Sequence, residues 1–281
     1  MDSPPRTLKL TLAYDGTAYA GWQRQPNGVS VQERVEDALA RLEGGPVIVA
    51  AAGRTDAGVH AAGQVASVRL ARGMAPEKLA RAVNAILPPD IRLLGAVEVP
   101  DGFHARFSAR AKTYHYRLME DGVVSPFERP YVWAVAQPLD VPAMQAAARL
   151  LEGRHDFASF QGAGSAVRET VRTVLTSRIV EGPAATNAGS GGLASDPGCG
   201  WLHVGTGRLL VYEIAGDGFL RHMVRNIVGT LVDVGSGRRP AASMTGLLAA
   251  RDRTQAGPTA PAHGLCLVRV DYDPFVLAGG S

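Results

Sequence analysis

Apolar residues in the first hundred positions recur with a period of two, then a helical period, then two again, and this ordered switching admits few folds. From Arg6 to Tyr14 the chain alternates: Leu8, Leu10, Leu12 and Tyr14 share one face, Lys9, Thr11 and Ala13 the other, as in a half-buried strand. Ser30 and Glu33 then form a capping-box pattern ahead of Val31, Val35, Leu39 and Leu42, whose spacing predicts one apolar helical face ended by Gly44 and Gly45. A short apolar run at Val47 to Ala52 and a strand at Gln64 to Leu70 follow. Pro76 opens a second helix carrying Leu79, Val83 and Ile86, which Pro88 and Pro89 end, and Ile91 to Val99 supplies another strand. Strand, helix, strand, strand, helix, strand is the ferredoxin-like order.

A similar order returns in the second half. Lys112 to Leu118 places Tyr114, Tyr116 and Leu118 on one face, and an alanine-rich helix is predicted after Tyr131 to Val135, from about Val141 to Glu152, closed by Gly153. Val171 to Val180 and Arg208 to Ala215 read as strands, Leu220 to Val234 and Met244 to Ala250 as helices, and Leu265 to Tyr272 as a last strand. Glu181 to Gly207, rich in Gly, Ala and Ser, has too few large apolar residues for a core of its own and is expected to be a mobile insertion. The predicted class is α+β. Two ferredoxin-like halves, 1–108 and 109–281, would join into a mostly antiparallel sheet with helices on one face and a cleft on the other.

With 281 residues, 46% of them hydrophobic, the chain has ample material for such a core. The formal net charge is +3, carried almost wholly by arginine, since Lys9, Lys78 and Lys112 are the lysines. That excess permits a polyanionic partner without demanding one. Cys199 and Cys266 lack a CxxC context and are too few for a thiolate metal site or a disulfide framework, which fits a reducing compartment. The start MDSPPRTLKL lacks a basic stretch followed by an apolar one, and no run reaches the ~18 apolar residues of a membrane helix, so a cytoplasmic protein is expected.

The densest local signal is Gly53-Arg54-Thr55-Asp56-Ala57-Gly58-Val59-His60, in the connection between two strands, where flanking glycines permit sharp turns and would present Asp56 on a loop. In isolation such an aspartate most often caps a turn and pairs with its neighbouring arginine. Arg24, Arg106, Arg110, Lys112 and Arg168, interleaved with Trp22, Phe103 and Tyr114, supply the residue types of a phosphate-tracking surface. His155-Asp156 has a superficial likeness to the HD phosphohydrolases, but those enzymes need further His and Asp ligands on helices, and no metal site is expected.

GRTDAGVHAAGQV resembles the catalytic motif of the transfer-RNA pseudouridine synthases of the TruA family. The resemblance runs nearly end to end, through YDGTAYAGWQRQ at Tyr14 to Gln25, NAILPPDI at Asn84 to Ile91, FHARFSARAKTYHY at Phe103 to Tyr116, GRHDFASF at Gly153 to Phe160, FLRHMVRNIVGTLVDVGSG at Phe219 to Gly237 and AGPTAPAHGLCL at Ala256 to Leu267. The Gly/Ser-rich insertion departs from it.

What this resemblance implies is a pseudouridine synthase fold, an isomerase without cofactor, and Asp56 as nucleophile. It further implies Arg225 as the cation paired with that aspartate, Tyr114 packing on the extracted uracil and drawing the C5 proton, and Arg54 holding the flipped nucleotide. Arg24, His60, Arg106, Lys112 and Leu265 are the further substrate-contact candidates. The implied substrate is the tRNA anticodon stem-loop, at uridines thirty-eight to forty, with the elbow also contacted and a homodimer spanning one tRNA. The chemistry suits a carboxylate, because breaking the C1′–N1 bond, turning the base and joining C1′ to C5 consumes no redox equivalent. Attack on C1′, assistance to a glycal and addition to C6 all stay open. Each needs an ionised carboxylate, which burial opposes and a nearby arginine favours.

Overall fold

The computed structural model describes residues 5–120, 122–165, 167–182, 207–274 and 277; the insertion expected at 181–207 lies outside them but for its ends. The described residues form ten strands, mostly antiparallel, and five α-helices, an α+β fold. They divide into two compact units, one of residues up to Lys112 together with those from Leu267 onward, the other from Thr113 to Cys266.

The first unit has the elements read from periodicity. Strand β1 (Arg6–Tyr14) buries Leu8, Leu10, Leu12 and Tyr14 and leaves Lys9, Thr11 and Ala13 partly covered. Helix α1 (Val31–Glu43) starts on the full capping box, with Ser30 Oγ accepting from Glu33 N and the Glu33 carboxylate from Ser30 N, and stops at Gly44, which is left-handed at φ +76°. Strand β2 (Val49–Ala51), strand β3 (His60–Leu70), helix α2 (Pro76–Ile86) and strand β4 (Ile91–Val99) follow. Strand β3 begins four residues before its sequence-predicted start, so the histidine of the aspartate motif is already in the sheet.

Strand β1 lies antiparallel between β3 and β4, with Leu10 opposite both Ala66 and Ala96. Strand β2 covers only part of the outer edge of β3, from Val49 opposite Val68 to Ala51 opposite Ala66. The C-terminal strand β10 (Leu265–Tyr272) takes more of that edge, and Val268 O would lie 2.4 Å from a Cβ at Gly63. This is why residues from Leu267 onward cluster with the first unit, whereas sequence order alone places them in the second half. Alternation puts Lys9 and Ser67, opposite each other in register, on the face away from Leu8 and Leu10.

The second unit holds strand β5 (Ala109–Glu120, from Thr113), strand β6 (Trp133–Val135), helix α3 (Val141–Arg149), strand β7 (Gly153–Asp156), strand β8 (Val171–Glu181), strand β9 (Arg208–Gly216) and helices α4 (Met223–Gly235) and α5 (Ser243–Ala250). Its strand order is β5-β9-β8-β7, and β6 runs parallel to β5. Helix α3 stops three residues short of its predicted end, and GRHD, which carries no strand periodicity, forms β7 by pairing with β8. Helix α4 is buried almost all round, Met223, Ile227, Val228 and Leu231 being inaccessible. Asn226 is inaccessible too, and that polar core position is filled by bonds described below. No helix among the described residues is long and apolar enough to cross a membrane.

Candidate active site

The loop from Ala52 to Val59, between β2 and β3, carries Asp56 and is fastened on several sides. Ala52 N donates to Val65 O at 2.7 Å, and Gln64 Nε2 donates to Gly53 O at 2.8 Å. The Tyr14 hydroxyl, at the end of β1, meets Thr55 Oγ1 at 2.8 Å, and Gln64 Nε2 reaches the same phenol oxygen at 3.3 Å. From the YDGTAYAGWQ segment, Trp22 N donates to Thr55 O at 3.0 Å and Gly58 N to Tyr19 O at 3.4 Å. Val59 N closes the turn onto Asp56 O at 3.1 Å. Gly21, at φ +100°, lies so near that a Cβ there would come within 2.7 Å of Thr55 O and 3.1 Å of Asp56 C, so glycine is required on both counts. Thr55 and Val59 are buried, Asp56 is half-buried, and Arg54 and Ala57 are exposed.

The turn salt bridge between Arg54 and Asp56, the bland alternative for this motif, is not formed: Arg54 carries no ion pair among the described residues. His60, 3% exposed, binds back to the Tyr14–Gly16 corner. Its Nδ1 accepts from Gly16 N at 3.1 Å and lies 3.2 Å from an Asp15 carboxylate oxygen. The corner is tied in turn to the residue just before β4, where Asp15 N donates to Asp90 O at 2.9 Å and the Tyr19 hydroxyl to Asp90 Oδ1 at 2.6 Å. Burial and that carboxylate both hold the Tyr19 phenol well above its usual range, so it stays a donor.

Of the basic residues in the first unit, Arg24 is paired with Glu36 at 3.4 Å and Asp37 at 3.2 Å, Arg110 is paired with Asp273, and Lys112 is buried. Arg106 is exposed. Trp22 and Phe103, read as aromatics of a phosphate-tracking surface, are 1% and 4% exposed and belong to the core: Trp22 packs on Tyr14 and Phe103 on Tyr272. Alternating basic and aromatic residues along a sequence does not place both on one surface, because the apolar ring gains by burial what the cation loses.

Tyr114, Arg225 and Leu265 lie in the second unit. Tyr114 and Tyr116 share a face of β5, which periodicity could not resolve, and their surroundings differ. The Tyr116 ring is inaccessible, its hydroxyl donates to Pro261 O at 2.8 Å, and burial pushes its pKa far up, as befits a structural phenol. The Tyr114 ring is edge-on to Phe219 at 5.2 Å. Arg225 is half-buried rather than solvent-facing, with Nε donating to Ala260 O at 2.7 Å while Ala260 N donates back to Arg225 O at 3.1 Å. Leu265 is 6% exposed at the first position of β10.

Polar side chains that sequence reasoning passed over hold these groups in place. Asn226 Nδ2 donates to Phe160 O at 2.8 Å, Asn226 Oδ1 accepts from Thr259 Oγ1 at 2.7 Å, and Thr230 Oγ1 accepts from Gly257 N at 2.9 Å. These bonds strap residues 256–260 along α4, so close at Gly229 that a Cβ would sit 1.7 Å from Pro258 O. Tyr14, Gln64 and Asn226 were hidden inside apolar runs, and only an amide or hydroxyl at a core position hinted at them. His155 and Asp156 are absorbed locally. His155 Nε2 lies 2.8 Å from Glu152 O, and Asp156 accepts from Ala158 N and Thr170 Oγ1 and pairs with Arg251 at 3.0 Å.

A family model described as tRNA pseudouridine synthase matches residues 11–108 and 147–273. The tRNA pseudouridine synthase A of Syntrophotalea carbinolica is 45% identical over 267 residues, covering 95% of this chain and 96% of its own. That of Moorella thermoacetica is 46% identical over 267 residues, covering 94% and 99%, and that of Myxococcus xanthus 44% over 265 residues, covering 94% and 91%. A fastened loop that presents an aspartate beside an uncommitted arginine, and a family match reaching across both units, lead to one conclusion: the chain belongs to the tRNA pseudouridine synthase family.

Proposed function

We propose that this tRNA pseudouridine synthase acts on uridines thirty-eight to forty of the anticodon arm, with the Asp56 carboxylate as nucleophile and no cofactor. The observation that carries the reading is the state of the 52–59 loop. Neighbouring backbone is locked by Tyr14, Trp22 and Gln64, while Asp56 is half-buried and Arg54 is exposed and unspent on an internal ion pair. A loop that merely closed a turn would have no use for so many fasteners around a solvent-reachable carboxylate.

The reaction breaks the C1′–N1 bond, rotates the uracil and forms C1′–C5; the C5 proton is lost and N1 gains one, so electrons and atoms balance within the substrate. Asp56 supplies the carboxylate for attack on C1′, for assistance to a glycal or for addition to C6. Arg225 is the guanidinium partner proposed for it, pre-oriented by its bond to Ala260 O. Tyr114 packs on the uracil and serves the proton transfer from C5. Arg54 holds the extruded nucleotide by its phosphate, and Arg24, Arg106 and Lys112 contact the RNA elsewhere along its backbone; His60 and Leu265, both buried, act by shaping the site. The working form is a cytoplasmic homodimer on one tRNA, contacting the anticodon stem-loop and the elbow.

The test is carbodiimide mapping of tRNA treated with wild type and with Asp56→Asn, alongside equilibrium tRNA binding. Asp56→Asn is expected to bind tRNA within a few-fold of wild type and to form no pseudouridine, and wild type is expected to keep full activity in excess chelator. Pseudouridine formed by Asp56→Asn, or wild-type product only outside the anticodon arm, overturns the reading.

A further inference from the structure

The segment from Pro100 to Ser108, in the first unit, follows β4 and lies against the sheet face that carries Lys9 and Ser67. Ala105 N donates to Ser67 Oγ at 3.1 Å, and the Tyr272 hydroxyl donates to Ala105 O at 2.7 Å. Phe103 is buried against Tyr272, whose ring also lies under Lys9 Nζ at 5.7 Å. Since Lys9 and Ser67 point away from the Leu8–Leu10 face, this segment is pinned to the other face of the sheet.

Its tip is rigid. Ser108 N donates to His104 O at 2.9 Å, His104 N to Ser108 Oγ at 3.1 Å, and Arg106 N to His104 Nδ1 at 3.1 Å. On that tip Phe107 is 77% exposed. A single exposed apolar side chain is ordinary on any protein. This one differs in its company: the His104 ring lies 4.4 Å from the Phe107 ring, tilted by 37°, and the Arg106 guanidinium lies 5.6 Å from the ring centroid. Arg106 has no ion pair among the described residues, so its charge is available to an anion. A pre-oriented aromatic face beside an unspent cation is the chemistry that takes an unpaired nucleobase with its phosphate.

We infer that Phe107, with Arg106 and His104 beside it, is a stacking platform for an unpaired base of the RNA substrate, separate from the Asp56 loop. Ser67, which anchors the platform, is seven residues along β3 from His60, the neighbour of Val59 whose N bonds Asp56 O; that is about 23 Å at strand rise, so the platform grips a different nucleotide from the one that reacts. The ring reads the π-face common to all bases, so it adds affinity without sequence preference. The inference rests on the reading of the protein as a tRNA-modifying enzyme.

The experiment measures tRNA binding across a salt series for wild type, Phe107→Ala, Phe107→Trp and Arg106→Gln, with sedimentation of each protein. Phe107→Ala is expected to weaken binding about 10-fold with the salt slope unchanged, because stacking releases no counterions, whereas Arg106→Gln lowers the slope by about one. Phe107→Trp is expected to keep wild-type affinity, with its added fluorescence quenched by tRNA. At 77% exposure the ring contributes little to folding, and unchanged thermal unfolding checks that. Unchanged affinity in Phe107→Ala, beside a wild type that modifies tRNA, overturns the proposal alone. A change of oligomeric state that accounts for the lost affinity also overturns it, assigning the ring to a second copy of the chain. A wild type that neither binds nor modifies tRNA overturns the functional reading together with the platform.

Discussion

The Tyr14 hydroxyl lies 2.8 Å from Thr55 Oγ1, so the last residue of the first strand holds the residue immediately before Asp56. The pair is buried, and Gln64 Nε2 joins it at 3.3 Å. A sheet position fixed by core packing thereby sets the backbone that aims the carboxylate.

Tyr14→Phe leaves the ring in the core and removes that hydroxyl. Loss of the buried bonds to Thr55 and Gln64 is expected to cost about 1–2 kcal/mol in urea unfolding. Turnover of tRNA should fall several-fold with KM unchanged, since the loop's aim is altered and its RNA-facing surface is not. A rise in KM at constant kcat would show that the phenol serves binding instead.

Gly229→Ala tests the strap on α4. A methyl group 1.7 Å from Pro258 O forces residues 256–260 off the helix and strains the Ala260–Arg225 bonds. Destabilisation of about 1–3 kcal/mol is expected, together with a drop in kcat beyond what the folded fraction explains. Gly246→Ala, where a Cβ meets nothing within 4 Å, is the control and should be neutral or slightly stabilising.

Ser30→Ala removes the acceptor for Glu33 N at the start of α1. The cap is expected to account for about 1 kcal/mol, a fall in melting temperature of about 2–4 °C for a chain of this size. Specific activity of the folded protein should be unchanged, because the cap is separate from the bonds that join α1 to the support of the Asp56 loop, Val31 N to Gly21 O and Gln32 N to Trp22 O, which the variant keeps. A large activity loss at normal stability would contradict this separation.

His263 gives a pH signature. Burial lowers its pKa below the ordinary imidazole value of 6.5, the bond to Val132 O opposes this, and Arg225 and Arg129 push it lower still. As pH falls through 6.5 the unfolded imidazole takes up a proton before the folded one does, so the unfolded state binds more protons and stability falls toward acid. This contribution is complete above about pH 6.5 and shrinks steadily below it. His263→Gln should flatten that part of the stability–pH curve in chemical unfolding; an unaltered curve would show that the ring titrates as it does unfolded.

The chain's local order was legible because it is written in local physics. Alternation in β1, the capping box of α1, Pro76 at the start of α2 and the apolar sector of α4 depend on residues within a few positions of each other, and each appears where its spacing puts it. Strand β7 was not legible, since GRHD has no alternation and becomes a strand only by pairing with β8. The aromatic surface was misread for the same reason: Trp22 and Phe103 are buried by tertiary packing, and the exposed phenylalanine rings among the described residues are Phe107 and Phe127.

By itself, then, the sequence determined the α+β element order, the aspartate loop between two strands and the family, because short-range periodicity and long motifs survive without any knowledge of contacts. The tertiary structure alone decided that the C-terminal strand completes the edge of β3, that Tyr14 and Gln64 hold the loop, that Arg225 is oriented by Ala260, and which aromatics stay in solvent. Those outcomes depend on which distant groups compete for the same buried space and the same hydrogen-bond donors, a competition settled only when the chain has closed on itself.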